Sequence, residues 1–221
     1  MTATGLRPTS RGWDNPRRAI VICGVALGLL SYQVAQGHLK LLDQQSAQWV
    51  RAWQSPAFDG LMRALTFFGS SVWALAILAA LASLAWRRGR RPEVLTFGGA
   101  FLLGLFIEGA LRLWVAQWRP DTAAIPPALG LIGRMHLAGF PSGHAFRSAF
   151  LFGWLGWELV AWRSRLAGIG QGLCVAMIGL VGISRVYLNR HWATDVLGGW
   201  LVACVVLSIA KSWQTTLKSD G

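Results

Sequence analysis

Residues 94–117 read VLTFGGAFLLGLFIEGALRLWVAQ, an apolar run that carries only two charges, Glu108 and Arg112. A helix rises about 1.5 Å per residue and a bilayer core is about 30 Å thick, so about 20 such residues cross it. Working outward, five more runs reach that length, at approximately 19–38, 65–86, 144–162, 168–188 and 193–211. The pattern predicts an all-α chain, a six-span transmembrane helical bundle. No soluble domain is left over, so residues 1–221 form one membrane domain.

Composition agrees. Hydrophobic residues make up 54% of the chain and charged residues 14%, against about 25% charged in soluble domains. The 13 tryptophans suit a membrane–water interface. A net charge of +12 invites a nucleic-acid reading, but the basic residues sit in short clusters between apolar runs, which argues against that partner. No sequence feature calls for an obligate protein partner. Cys23, Cys174 and Cys204 lie inside apolar segments without metal-ligand spacing and are read as small buried residues. GxGxxG and Walker patterns are missing, and the glycines of FGGAFLLGLFIEGA and LGGWLVA are read as close helix packing.

Loop charges orient the bundle. With six spans, both termini and the second and fourth connections share one side. They hold Arg7, Arg11, Arg17, Arg18, Arg87, Arg88, Arg90, Arg91, Arg163, Arg165, Lys211 and Lys218. The positive-inside tendency puts that side, with the N- and C-termini, in the cytoplasm. Residues 1–18 are then a basic cytoplasmic tail, and the run Ala19 to Ala35, long and without a small-x-small cleavage site, is an uncleaved first span. Residues 39–60 place Leu42, Trp49, Val50 and Trp53 at near-helical spacing and predict an amphipathic surface helix. The opposite side also carries cations (Lys40, Arg51, Arg63, Arg112, Arg119, Arg134, Arg185 and Arg190), which topology alone does not explain.

Three polar stretches interrupt the apolar pattern, and the topology sends all three to the extracytoplasmic face. In the first, Arg112 and Arg119 are seven residues apart, on one face of a helix that Pro120 ends, with Glu108 four residues before Arg112 as its partner. Two snorkelling arginines are the plain alternative. In the second, Pro141-Ser142-Gly143-His144 reads as a helix start: Ser142 caps, Gly143 admits a close ligand, and the N-terminal N–H groups favour an anion. A capped helix with a chance histidine is the alternative. In the third, His191 and Asp195 stand i, i+4, so the carboxylate can take one ring N–H and leave the other nitrogen free, while Arg185 offers a guanidinium fork. The alternative is an Asp–His pair that ties two spans together. Taken jointly, three arginines, two histidines and one aspartate suit an anion with several oxygens, phosphate above all. Only nine acidic residues occur in the chain, too few and too scattered for a metal-phosphatase site, so no metal and no cofactor are expected.

These residues resemble the type 2 phosphatidic acid phosphatase superfamily, which includes lipid phosphate phosphatases and vanadium haloperoxidases. Its pattern is K-x6-R-P, P-S-G-H and S-R-x5-H-x3-D. The last two parts match at every fixed position, as Pro141-Ser142-Gly143-His144 and as Ser184-Arg185, His191 and Asp195. In the first, Arg119 and Pro120 match, and Arg112 stands where the family has lysine. The motif-bearing core covers about 94–211.

The resemblance implies roles. His191 attacks phosphorus and becomes a phosphohistidine, Asp195 orients it, and His144 protonates the leaving oxygen and activates water. Arg112, Arg119, Ser142, Gly143 and Arg185 hold the phosphate. Arg147, one turn after His144, contacts either a second phosphate, which would favour a diphosphate substrate, or a headgroup or loop. The implied activity is a metal-independent membrane lipid phosphatase of the bacterial inner membrane. Its candidate substrates are undecaprenyl diphosphate, phosphatidylglycerophosphate, phosphatidate or a lipid A phosphate. A lipid phosphotransferase using the same site, a vanadate-dependent haloperoxidase, and a lipid-binding or transport protein with a degenerate site are the competing readings. The six spans count against the haloperoxidase, because those relatives are typically soluble.

Overall fold

The computed structural model describes residues 15–122, 130, 133, 135, 137–160 and 164–219, with side chains in the last helix as far as residue 215. Expectations on residues 1–14, on Arg134, on Arg163, on the Lys218 side chain and on the end of the 144–162 run lie outside the described residues.

Among the described residues eight helices follow one another: α1 Pro16–Ala35, α2 Lys40–Arg51, α3 Pro56–Phe67, α4 Ser71–Arg87, α5 Arg91–Val115, α6 Gly143–Val160, α7 Arg165–Tyr187 and α8 Ala193–Ser219. The described residues contain no strand, only an isolated bridge between Trp118 and Ala138. Local chemistry sets the starts. Asn15 accepts from Arg17 N and Arg18 N ahead of Pro16, and Ser55, Ser70 and Ser164 accept from Phe58, Trp73 and Ala167 N–H groups. Each satisfies an orphan donor that a helix start leaves open.

Two expectations are corrected. Residues 39–60 are not one amphipathic helix, because Ser55-Pro56 caps and starts a new one at the point where proline removes the N–H that a continuing helix needs. The 65–86 run is likewise divided: residues 65–67 finish α3, and α4 begins at Ser71 behind the Ser70 cap.

α6 is the central helix and packs on α7 and α8, while α1 and α5 also pack on α8 and α3 packs on α7. Eight of its 18 residues are buried. An aromatic ladder joins it to α5: Phe97 stands 5.1 Å from Phe150 and 4.4 Å from Trp154, and Phe101 stands 5.7 Å from Phe146 and 5.3 Å from Phe150. Such ring pairs add roughly 0.5–1.5 kcal/mol each beyond their burial. Between helices in lipid the attraction is close packing rather than hydrophobic force, and Gly104 supplies it by leaving the space that the Phe146 ring fills.

Among the described residues five segments are long and apolar enough to cross a membrane: 16–35, 56–87, 91–115, 165–187 and 193–215. Their outer faces are apolar, with Val21 and Leu29 on α1 each 63% exposed and Phe106 on α5 72% exposed, a pattern that suits lipid rather than water. The sixth expected span corresponds to α6, which is not among the five. The reason lies in its sequence: His144, Arg147 and Glu158 lower its mean hydropathy, and its buried residues end at Trp154 while Leu155 and Val160 stay exposed.

Candidate active site

The C-terminal ends of α1, α5 and α7 and the N-terminal ends of α4, α6 and α8 meet at one end of the bundle, and all three polar stretches gather there. α5 stops at Val115 because Ala116 turns left-handed at φ 49°, its N–H bonding to Arg112 O at 3.3 Å. Arg119 therefore does not share a helical face with Arg112, as its spacing predicted. It lies on the extended segment after the turn, held by Gly139 N to Gln117 O at 2.6 Å and by the Trp118–Ala138 bridge.

Ser142 precedes α6 and caps it as predicted: its Oγ accepts from Ala145 N at 3.5 Å and its carbonyl from Phe146 N at 2.9 Å. Ser142 N donates to Asp195 O at 2.8 Å, which locks the start of α6 to the start of α8. Gly143 lies against Glu108, where a Cβ would stand 2.5 Å from Oε1. His144 occupies the first turn of α6, its Nδ1 3.5 Å from Arg147 Nη2. Arg147 binds the α3–α4 turn, donating from Nε to Gly69 O at 3.0 Å, and stands 4.0 Å from Glu108. The loop contact, not a free fork, describes this arginine.

Glu108 and Arg112 pair at 2.6 Å, as their spacing predicted, and Arg112 Nη1 also donates to Met135 O at 3.3 Å. Arg185 sits in the last turn of α7. Its Nη1 donates to Thr66 Oγ1 at 2.8 Å, and its carbonyl takes Arg190 N and His191 N at 3.0 and 3.2 Å. His191 and Asp195 meet: Nδ1 is 3.1 Å from Oδ2, which also accepts from Trp192 N at 2.9 Å. The two side chains are 2% and 0% exposed. This contact directs Nδ1 to the carboxylate and leaves Nε2 as the ring's available lone pair.

Electrostatics join the motifs. Burial first, then Arg185 and Arg119, hold the His191 imidazolium well below its ordinary value, with His144 and Arg112 adding to the effect. Burial, then Arg112, lowers Arg119. Arg112, Arg119 and Arg185 each bury an Nε–H without a hydrogen-bond partner among the described residues. Arg112 has Glu108 as its counter-ion, but Arg119 and Arg185 have no ion pair among the described residues, and the excess of positive charge in this cradle suits an anion. A cavity of about 360 Å³ adjoins it, bordered by Lys40, Asp43, Gln117, Arg119 and Trp192. A largely apolar groove of about 310 Å³ between α4, α5 and α6 lies toward the opposite end, near Arg88 and Glu158, and contains none of these residues.

Several site residues carried no signal in the sequence reading. Thr66 holds Arg185, Gly69 holds Arg147, and Asp121 pairs with Arg190 at 2.7 Å. Trp192 Nε1 donates to Trp118 O at 2.8 Å. Cys204 is exposed rather than buried.

The family model of the PAP2 superfamily matches residues 93–219, more than half of the chain and all three polar stretches. The chain belongs to the PAP2 superfamily. Its relatives within and around that superfamily include phosphatidylglycerophosphatase B of Bacillus subtilis, 26% identical over 177 residues that span 75% of this chain and 79% of that protein. Decaprenylphosphoryl-5-phosphoribose phosphatase of Mycobacterium tuberculosis is 28% identical over 160 residues, 71% of this chain and 81% of that protein. Among solved structures, the transmembrane PAP2-type phosphatidylglycerolphosphate phosphatase of Bacillus subtilis superposes with a TM-score of 0.72 at 23% identity. It covers 90% of this chain and 96% of its own. LpxE of Aquifex aeolicus gives 0.55 at 19% identity, over 76% and 94%. This PAP2 member shares their fold, and with its apolar helices it is an integral membrane protein.

Proposed function

We propose that this PAP2 protein is a membrane lipid phosphatase, a phosphoric ester hydrolase that works through a phosphohistidine on His191. The observation that carries the reading is the buried His191–Asp195 pair at 3.1 Å beside three arginines whose Nε–H groups have no partner among the described residues. The neutral ring and the cationic cradle together suit attack on a phosphoryl group.

His191 Nε2 attacks phosphorus and the P–O bond to the lipid breaks. His144 gives a proton to the departing oxygen, releasing a lipid alcohol, or a lipid monophosphate when the substrate is a diphosphate. Water then attacks the phosphohistidine, returning its proton to His144 and releasing inorganic phosphate. Arg112, Arg119 and Arg185, with Ser142 and the Gly143 N–H, hold the oxygens on which charge builds. Asp195 stabilises the imidazolium form of His191 during the first step. None of these steps calls for a metal.

The chain crosses the membrane six times in this reading, α6 included, with both termini cytoplasmic. Arg17, Arg18, Arg87, Arg88, Arg90, Arg91 and Arg165 share the end opposite the site, which supports an extracytoplasmic active site in a bacterial inner membrane. The cavity beside Arg119 leaves room for a polar headgroup beyond the phosphoryl group. The named activities of the two curated relatives make phosphatidylglycerophosphate and a polyprenyl phosphosugar the first substrates to try, followed by phosphatidate and undecaprenyl diphosphate.

The test is phosphate release from that panel in detergent, with and without chelator. The reading expects release that persists in chelator, disappears in His191→Ala, and passes through an acid-labile, base-stable phosphoprotein. Full activity in His191→Ala would remove the nucleophile assignment.

A further inference from the structure

Asp43 lies on α2, outside every motif, and is 1% exposed. Its carboxylate accepts three hydrogen bonds: Oδ1 from Thr194 N at 3.0 Å, and Oδ2 from Thr194 Oγ1 at 2.7 Å and from Gln117 Nε2 at 3.0 Å. Thr194 immediately precedes Asp195 in the first turn of α8. Gln117 O receives Gly139 N at 2.6 Å, and Gly139 backs directly onto the Asp195 carboxylate. One side chain thus touches both structures that confine Asp195: the turn that carries it and the segment packed against it.

The same helix grips the loop a second time. Two turns along α2, Arg51 Nη1 donates to Asn189 Oδ1 at 3.0 Å. Asn189 and Thr194 flank His191 in sequence, so α2 fastens the nucleophile's loop on either side. Burial opposes the charge on Asp43, while the donors of Thr194 and Gln117 favour it. An apolar residue here would strand those donors at a helix start.

We propose that Asp43 is a positioning residue for the reaction: acting through Thr194 and Gln117, it holds Asp195, and so the His191 ring, in the orientation that aims Nε2 at phosphorus. This rests on the phosphatase reading above. A mere helix cap would affect stability alone, whereas positioning separates kcat from KM.

The experiment measures kcat and KM on the full chain in detergent micelles with a short-chain phosphatidate. Asp43→Asn should lower kcat roughly 10-fold and Asp43→Ala roughly 100-fold, with KM changed less than about 2-fold, because misplacement of a reacting group by about an ångström has that effect. Thr194→Ser should keep kcat and Thr194→Val should lower it. The double variant Asp43→Ala/Thr194→Val should be no slower than Asp43→Ala, since the two act in one chain. An independent readout is the downfield ring-proton resonance of His191, expected in the wild type, lost in Asp195→Asn and broadened in Asp43→Asn. Wild-type kcat in a folded Asp43 variant, multiplicative losses in the double variant, or an unchanged ring-proton signal would overturn the proposal. Should Asp43→Ala not fold, Asp43→Asn and the Thr194 pair decide it. A wild type that releases no phosphate from any lipid of the panel above sinks the phosphatase reading instead, and the ring-proton signal still decides the link to Asp43.

Discussion

Gly139 lies flat against the Asp195 carboxylate: a Cβ on it would stand 2.7 Å from Oδ2 and 3.4 Å from Arg119 Cγ. No β-carbon fits without moving the acid that orients His191. Gly139→Ala is therefore expected to keep the helical fold, because residue 139 belongs to no helix, but to lower kcat roughly 10-fold or more. Helical circular dichroism compared with phosphate release checks both halves, and unchanged kcat would show that the turn yields without disturbing the pair.

Asp195 Oδ2 serves two donors, His191 Nδ1 and Trp192 N. An asparagine with its oxygen in the Oδ2 position keeps both donors but loses the negative charge beside the ring, and the flipped amide would turn its NH2 group against both donors. Asp195→Asn should reduce kcat roughly 10²- to 10⁴-fold with little change in fold. Steady-state rates with a thermal melt in detergent separate this from simple destabilisation.

What could be read beforehand and what could not differ by the range of the interaction. The His191–Asp195 contact, the Ser142 cap and the Glu108–Arg112 pair are local, three or four residues apart, and helical spacing alone predicts them. The six apolar runs likewise map onto helices, although α6 is too polar to pass for a span by composition because it carries site residues. Thr66 with Arg185, Gly69 with Arg147, and Asp43 with Thr194 join residues 78 to 151 positions apart, and no local pattern marks such partners. Two errors were local all the same. Ser55-Pro56 is a legible helix start that the amphipathic periodicity of residues 39–60 obscured. Ala116, a residue with no special preference for a left-handed conformation, ends α5 four residues before Pro120 because the following segment is drawn onto Gly139.

Arg112 stands where the superfamily pattern has lysine, and its surroundings show why the exchange is not neutral. One Nη holds Glu108 at 2.6 Å and the other holds Met135 O at 3.3 Å, a fork that lysine cannot reproduce. Arg112→Lys keeps the charge and should raise KM about 3- to 10-fold, the equivalent of about 1 kcal/mol. Arg112→Ala leaves Glu108, 8% exposed at its side chain, as a buried unpaired carboxylate, and should destabilise the protein by about 3 kcal/mol. Michaelis constants for the first and a melting curve for the second are the measurements. An alanine variant as stable as the wild type would mean that Arg147, 4.0 Å away, takes over the neutralisation.

The protonation of His191 sets the response to acid. Burial, with Arg185 and Arg119 nearby, holds its folded-state pKa well below the ordinary 6.5. In the proposed mechanism the neutral ring attacks, so the nucleophile stays competent as pH falls from 7 to below 6.5, and the acid limb of kcat/KM that belongs to His191 should lie below that value. Stability moves the other way in the same interval. The unfolded ring takes up a proton near 6.5 and the folded ring does not, so this residue's contribution is complete above about pH 6.5 and is lost progressively as the pH falls toward the folded value. Replacing Arg185 by glutamine removes the charge that weighs most on the ring, which should shift the acid limb of kcat/KM upward and narrow the pH range over which the melting temperature declines. A profile that does not move in Arg185→Gln would assign the depression to burial and the remaining cations, Arg119 first, rather than to Arg185.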